Sequence, residues 1–194
     1  MHYKLAICLL ATCLSGAALA AKKPTAPAVW AQEPDSFMGI RFDKKLEYSI
    51  PLCPSGYELP KEMCREAPYQ NLYVIQGAPS IGLVGGYQLS AMAKNSAVDS
   101  FYLTASTEDF SRLAEVFIAK YGQPTKKSLE TVKTKGGGSF ANESLEWQGK
   151  NVEIILQKFD GDINTSSATI RTVSSITRSI KDGDDKVKSA ASKL

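Results

Sequence analysis

The chain has 194 residues, with 23 Lys and Arg against 20 Asp and Glu, a formal net charge of +3, four cysteines and one histidine. So small an imbalance gives no general electrostatic case for nucleic-acid binding, and no nucleic-acid partner is expected. The single histidine is His2, inside a segment expected to be removed, which excludes Ser-His-Asp and Cys-His catalysis, His-ligated zinc and a histidine general base from the remaining chain.

Residues 1–20 read MHYKLAICLLATCLSGAALA: one lysine, an apolar run from Leu5 to Leu14, and a small-x-small ending at Ala18 to Ala20. This is the pattern of a secretory signal peptide cleaved before Ala21. The apolar run is shorter than the ~20 residues a membrane-spanning helix needs, and no later run reaches that length. Cys13 stands where a lipidated cysteine would, but Thr12 before it is larger than the residue usually found there. The expectation is a periplasmic protein, not anchored by lipid and without a transmembrane segment after cleavage.

Residues 21–35, AKKPTAPAVWAQEPD, carry alanine, proline and lysine without an apolar period and read as a mobile leader in which Trp30 can pack onto the nearest groove. A short strand is predicted in FMGIRF (37–42), followed by a proline-rich stretch to residue 70 in which regular structure is not expected. Alternating apolar and polar residues then predict strands over 72–77, 81–93 and 99–106, the second interrupted at Gly85 and Gly86.

Residues 106–121 predict the one clear helix. Ser106 and Asp109 form a capping pattern, and Phe110, Leu113, Ala114, Phe117, Ile118 and Tyr121 fall on one stripe. Gly122 and Pro124 end it. Further strands are predicted over 127–134, 139–148, 151–159 and 166–175, separated by Gly-rich or Asp-Gly turns in the manner of an antiparallel meander. Residues 176–194 are lysine-rich and polar and read as a tail, with a short helix over 185–193 as the alternative. The domain plan is therefore a signal peptide (1–20), a leader (21–35), a single α+β domain (36–175) and a polar tail (176–194). Its fold is an antiparallel sheet of about six or seven strands with one amphipathic helix packed on one face.

Cys53 and Cys64, with ten residues between them, would sit in an oxidising compartment and are expected to form a disulfide. The spacing is far from a C-x-x-C redox motif, and two thiolates without histidine make a poor zinc site. The ring they close would present Tyr57, Leu59 and Met63, either as a contact surface or packed onto the sheet. KTKGGGSF (133–140) has lysines before its glycines and strands on both sides, so it reads as a hairpin tip and not as a phosphate loop. Lys133 and Lys135, with Lys126 and Lys127, would form either a solvated face or a basic edge that meets an acidic partner. Asp160, Asp162 and Asn164 match the opening of a calcium loop, but Thr165 and Arg171 stand where it needs glycine and glutamate, which favours a turn.

Phe37-x-Gly39-Ile40 near the mature start, Cys53-Pro54 with a later Cys64, and a helix ending Lys120-Tyr121-Gly122-x-Pro124 together resemble small, uncharacterised exported proteins of proteobacteria. The resemblance implies periplasmic residence and a sheet packed on one helix, and it carries no catalytic residues. The expected function is a non-enzymatic periplasmic interaction module without cofactor or metal, of inhibitor, immunity or secretion-accessory type, whose partner is an envelope or secreted protein. The alternatives are a structural component of a conjugation or secretion apparatus and a histidine-independent accessory enzyme or ligand carrier.

Overall fold

In a computed structural model of the chain, residues 30–56, 60–94 and 97–194 are described. The signal segment, most of the leader, Tyr57 and Leu59 lie outside these residues. The elements in order are β1 (Ser36–Phe37), β2 (Ile40–Arg41), α1 (Leu46–Ser49), β3 (Cys64–Arg65), β4 (Leu72–Gln76), β5 (Tyr87–Lys94), β6 (Ala97–Ser106), α2 (Phe110–Tyr121), β7 (Lys126–Lys133), β8 (Ser139–Gln148), β9 (Val152–Gln157), β10 (Thr165–Thr172) and α3 (Val173–Ala191). A single turn of 3-10 helix, Thr107–Asp109, leads into α2.

Eight strands form one antiparallel sheet in the order β3-β4-β5-β6-β10-β9-β8-β7. The topology divides into two halves. Each is a run of four strands followed by a helix, and the last strands of the two runs, β6 and β10, pair at the centre. Their first strands, β3 and β7, are consequently the two edges.

The α+β class holds, with eight strands in the main sheet and three helices where six or seven strands and one helix were expected. Three local causes and the one-turn helix α1, which forms in the proline-rich stretch, account for the difference. FMGIRF folds back as the two-residue hairpin β1-β2, with Met38 and Gly39 at positive φ (49° and 83°), and stays outside the main sheet. β3 forms in the proline-rich stretch because β4 pairs with it, a contact no local pattern announces. Residues 176–194 are exposed and polar but helical as far as Ala191, where a frayed tail was the expectation. Thr172 starts that helix, its hydroxyl accepting from Ser175 N at 3.2 Å. Arg178 and Asp182 then tie it to Asp99 (2.7 Å) and Lys94 (3.1 Å).

The core lies on one face of the sheet. Phe110, Leu113, Phe117 and Tyr121 of α2 bury the stripe read from their spacing against Phe101, Leu103, Trp147, Ile154, Leu156 and Ile170. Phe37, Ile40, Leu46 and Ile50 from the N-terminal segment join the same cluster. The opposite face carries small polar residues such as Ser90, Thr104 and Ser144, half-exposed, as an antiparallel sheet with one solvated face allows.

Both ends of α2 are tied down. Ser106 Oγ accepts from Glu108 N at 3.2 Å, but Asp109 does not complete a reciprocal capping box. Its buried carboxylate instead accepts from Val84 N (3.0 Å) and Gly85 N (2.9 Å), fixing the loop before β5. At the other end Gly122 takes φ 79°, and two indoles donate to carbonyls that the helix leaves free. Trp30 Nε1 reaches Tyr121 O at 2.7 Å, and Trp147 Nε1 reaches Gly122 O at 2.8 Å. Within the segment read as a leader, the chain thus packs on the domain from Trp30 onward. Trp30 is buried, and the Glu33 carboxylate accepts from Asn151 N and from Val152 N.

Candidate functional site

Two places carry the residues singled out by sequence, and both are sheet edges. At the first, Cys53 and Cys64 form the expected disulfide, with Cα atoms 4.9 Å apart. The bond holds residues 51–53 against β3: Cys53 N donates to Arg65 O and Arg65 N donates to Pro51 O, each at 2.9 Å. Leu52 and Arg65 form a parallel bridge. The outward backbone groups of Arg65 are therefore satisfied, and this edge is closed. Met63, proposed with Tyr57 and Leu59 as a contact surface, is half-buried and packs on the core cluster, which is the packing alternative of the sequence reading.

The second edge is β7. It pairs with β8 over eight residue pairs, and no described strand lies on its other side. Thr134 N donates to Gly138 O at 2.9 Å, so pairs of the same parity, such as Val132 with Phe140, are the hydrogen-bonded ones. The N–H and C=O groups of Lys127, Leu129, Thr131 and Lys133 consequently point away from β8. The same four side chains share one face of the strand and are all exposed, Leu129 to 71%.

The β7-β8 hairpin also reaches beyond the sheet that supports it. β9 pairs with β8 only from Ser144 to Gln148, and Lys158 N donates to Glu143 O at 2.9 Å, leaving the backbone of Ser139–Asn142 paired with β7 alone among the described residues. Asn142 braces this arm: its side-chain amide donates to Phe159 O (3.0 Å) and accepts from Phe159 N (2.8 Å), as a neighbouring strand would. Phe140 packs edge-on against Phe159, with ring centroids 5.9 Å apart. The Gly136-Gly137-Gly138 tip is the hairpin turn expected from sequence. Beneath it lies an open cavity of about 480 Å³ lined by Val132, Lys133, Lys135, Phe159, Asp162 and Ile163.

Charge along this edge is largely unneutralised. Lys126 pairs with Glu146 at 2.9 Å, whereas Lys127, Lys133 and Lys135 make no ion pair among the described residues. Lys133 and Lys135 both line the cavity at the tip. Leu129 and Thr131 were missed as members of the same row, although the alternation Lys-x-Leu-x-Thr-x-Lys across 127–133 carries that signal.

The calcium-like motif is a turn held by its own carboxylates. Asp162 accepts from Asn164 N (2.7 Å) and from the Thr165 hydroxyl (3.3 Å), which holds its carboxyl below the usual range. Asp160 accepts from the Tyr102 hydroxyl at 2.8 Å; burial and that carboxylate push the Tyr102 phenol up to about 12. Among the described residues no cluster of three or more His, Cys, Asp or Glu side chains could hold a metal, and no helix is long and apolar enough to cross a membrane. A groove of about 860 Å³ runs between residues 33–43 and the start of α3, lined by Phe42, Val152 and Val173 with Arg41, Lys150 and Arg178. Arg41 is committed to Asp35 and Asp43, and Arg178 to Asp99.

Comparison of the chain with protein-family models, with curated proteins and with solved structures finds no match.

Proposed function

We propose that this protein is a non-enzymatic, exported interaction module that engages an envelope or secreted protein through the β7-β8 arm. The observation that carries the reading is the contrast in backbone supply. β7 is eight residues long, exposed over most of its length and without a described strand along one side, while the other sheet edge is covered by the disulfide ring. An edge left open is a surface on which a partner strand can add. The pattern of residues 1–20 and the disulfide, which suits an oxidising compartment, support the exported part of the reading.

Photo-crosslinking in cells tests this directly. A photoreactive residue at Thr131 should trap a discrete envelope or secreted protein, and the same residue at Gln88, on the solvated sheet face, should not. A Thr131 adduct no richer than that at Gln88 overturns the reading. A ligand carrier is the second reading, favoured by the groove of about 860 Å³ beside α3. Native mass spectrometry of protein purified from the envelope would then show a retained small molecule.

A further inference from the structure

Resting on the arm as the interaction site, we infer that β7 accepts an acidic extended segment of its partner, added antiparallel as a ninth strand of the sheet. Main-chain groups of Lys127, Leu129, Thr131 and Lys133 would supply the ladder, and their side chains would supply the selection. Residues directly opposite one another on neighbouring strands lie ~5 Å apart, close enough for charge and shape to be read pair by pair. Lys127 and Lys133 make no ion pair among the described residues and end the row; Leu129 and Thr131 lie between them. Read from its N-terminus, the incoming strand is then acidic, any residue, β-branched, any residue, apolar, any residue, acidic.

The same row argues against a second copy of this chain as the occupant. Only one antiparallel register opposes all four outward residues with the four of another copy, and it sets Lys127 against Lys133 twice and Glu130 against Glu130. Like charges directly opposite are destabilising in a sheet. Lysines on an edge are a common guard against edge-to-edge association. Here they repel the chain's own copy while remaining complementary to a strand of opposite charge.

The experiment uses the purified protein and three labelled peptides: Glu-Ser-Val-Ser-Leu-Ser-Glu, the same peptide with both glutamates replaced by lysine, and one with proline in place of valine. The acidic peptide should bind, weaken as salt rises, and raise amide protection at Leu129 and Thr131. The lysine and proline peptides should bind at least tenfold more weakly. A Lys127→Glu/Lys133→Glu double variant, checked to melt at the parental temperature, should prefer the lysine peptide. No binding, equal binding of the acidic and lysine peptides, or protection at the groove beside α3 instead of at β7 would each overturn the inference. These outcomes separate it from the reading it rests on. A partner crosslinked at Thr131 with no peptide binding retains the arm and discards the acidic strand; peptide binding without any crosslinked partner retains the preference of β7 for an acidic strand and discards the envelope or secreted partner.

Discussion

β3 and β7 occupy equivalent positions, each the first strand of its four-strand half and each an edge of the sheet. β3 has two residues, is flanked by prolines and is sealed by a disulfide ring that supplies its missing partner. β7 has eight residues, exposed lysines and, among the described residues, no strand partner beyond β8. A covalent constraint stands where backbone pairing is scarce, and charge stands where backbone is left available. The contrast teaches that one sheet manages its two edges by different physics, and that of the two described edges only the second leaves a row of outward backbone groups without a strand partner.

The contrast can be broken by opening the closed edge. A Cys53→Ser/Cys64→Ser variant should lose about 3 kcal/mol, the chain-entropy value for a ring of this size, and melt roughly 6–12 °C lower. Amide exchange at Arg65 should rise with it; an unchanged melt would show that the ring does not hold the edge. Thiol titration of the denatured, unreduced protein should find Cys53 and Cys64 without a free thiol. Next in size is Gly77→Ala. Gly77 has φ +64°, and a Cβ there would overlap the backbone carbonyl of Glu62 inside the ring, so a loss of about 2 kcal/mol is expected in a chemical denaturation curve.

On the open side, Asn142→Ala removes the brace of the arm. Its carboxamide is buried and doubly bonded to Phe159, and the loss should be about 1.5 kcal/mol. Faster exchange should be confined to 128–143 and leave β3 and β4 unchanged. Smallest of all, Lys127→Glu/Lys133→Glu should alter stability by less than about 0.5 kcal/mol, as exposed substitutions do. A large loss there would mean that these lysines serve the fold and not a partner.

Much of this was legible in the sequence wherever local pattern and tertiary role agree. The stripe from Phe110 to Tyr121, the alternation in β8 and β9, the Gly-rich hairpin tip and the cysteine pair all signal within a few residues what they do. β3 was not legible, since two residues become a strand only when Gln76 and Ile75 lie opposite. Asp109 has a short-range role available in capping and spends its carboxylate on a loop 24 residues earlier in sequence. α3 contains Gly183 with Asp182, Asp184 and Asp185, poor helix formers that hide a helix started by Thr172 and anchored at Arg178. Lys133 and Lys135 could be proposed from composition. That β7 is an edge depends on β10 returning to pair with β6, a fact of topology alone.

The two indoles that close the end of α2 are also the only tryptophans in the chain. One belongs to the N-terminal segment and the other to the sheet, and both are shielded from solvent. Native emission therefore comes from a single locus, with no background from the arm or the disulfide ring. Release of the N-terminal segment should red-shift Trp30 alone and leave Trp147 as an internal reference. A Trp147→Phe protein would turn this into a one-fluorophore assay of whether the segment around Trp30 stays attached to the end of α2.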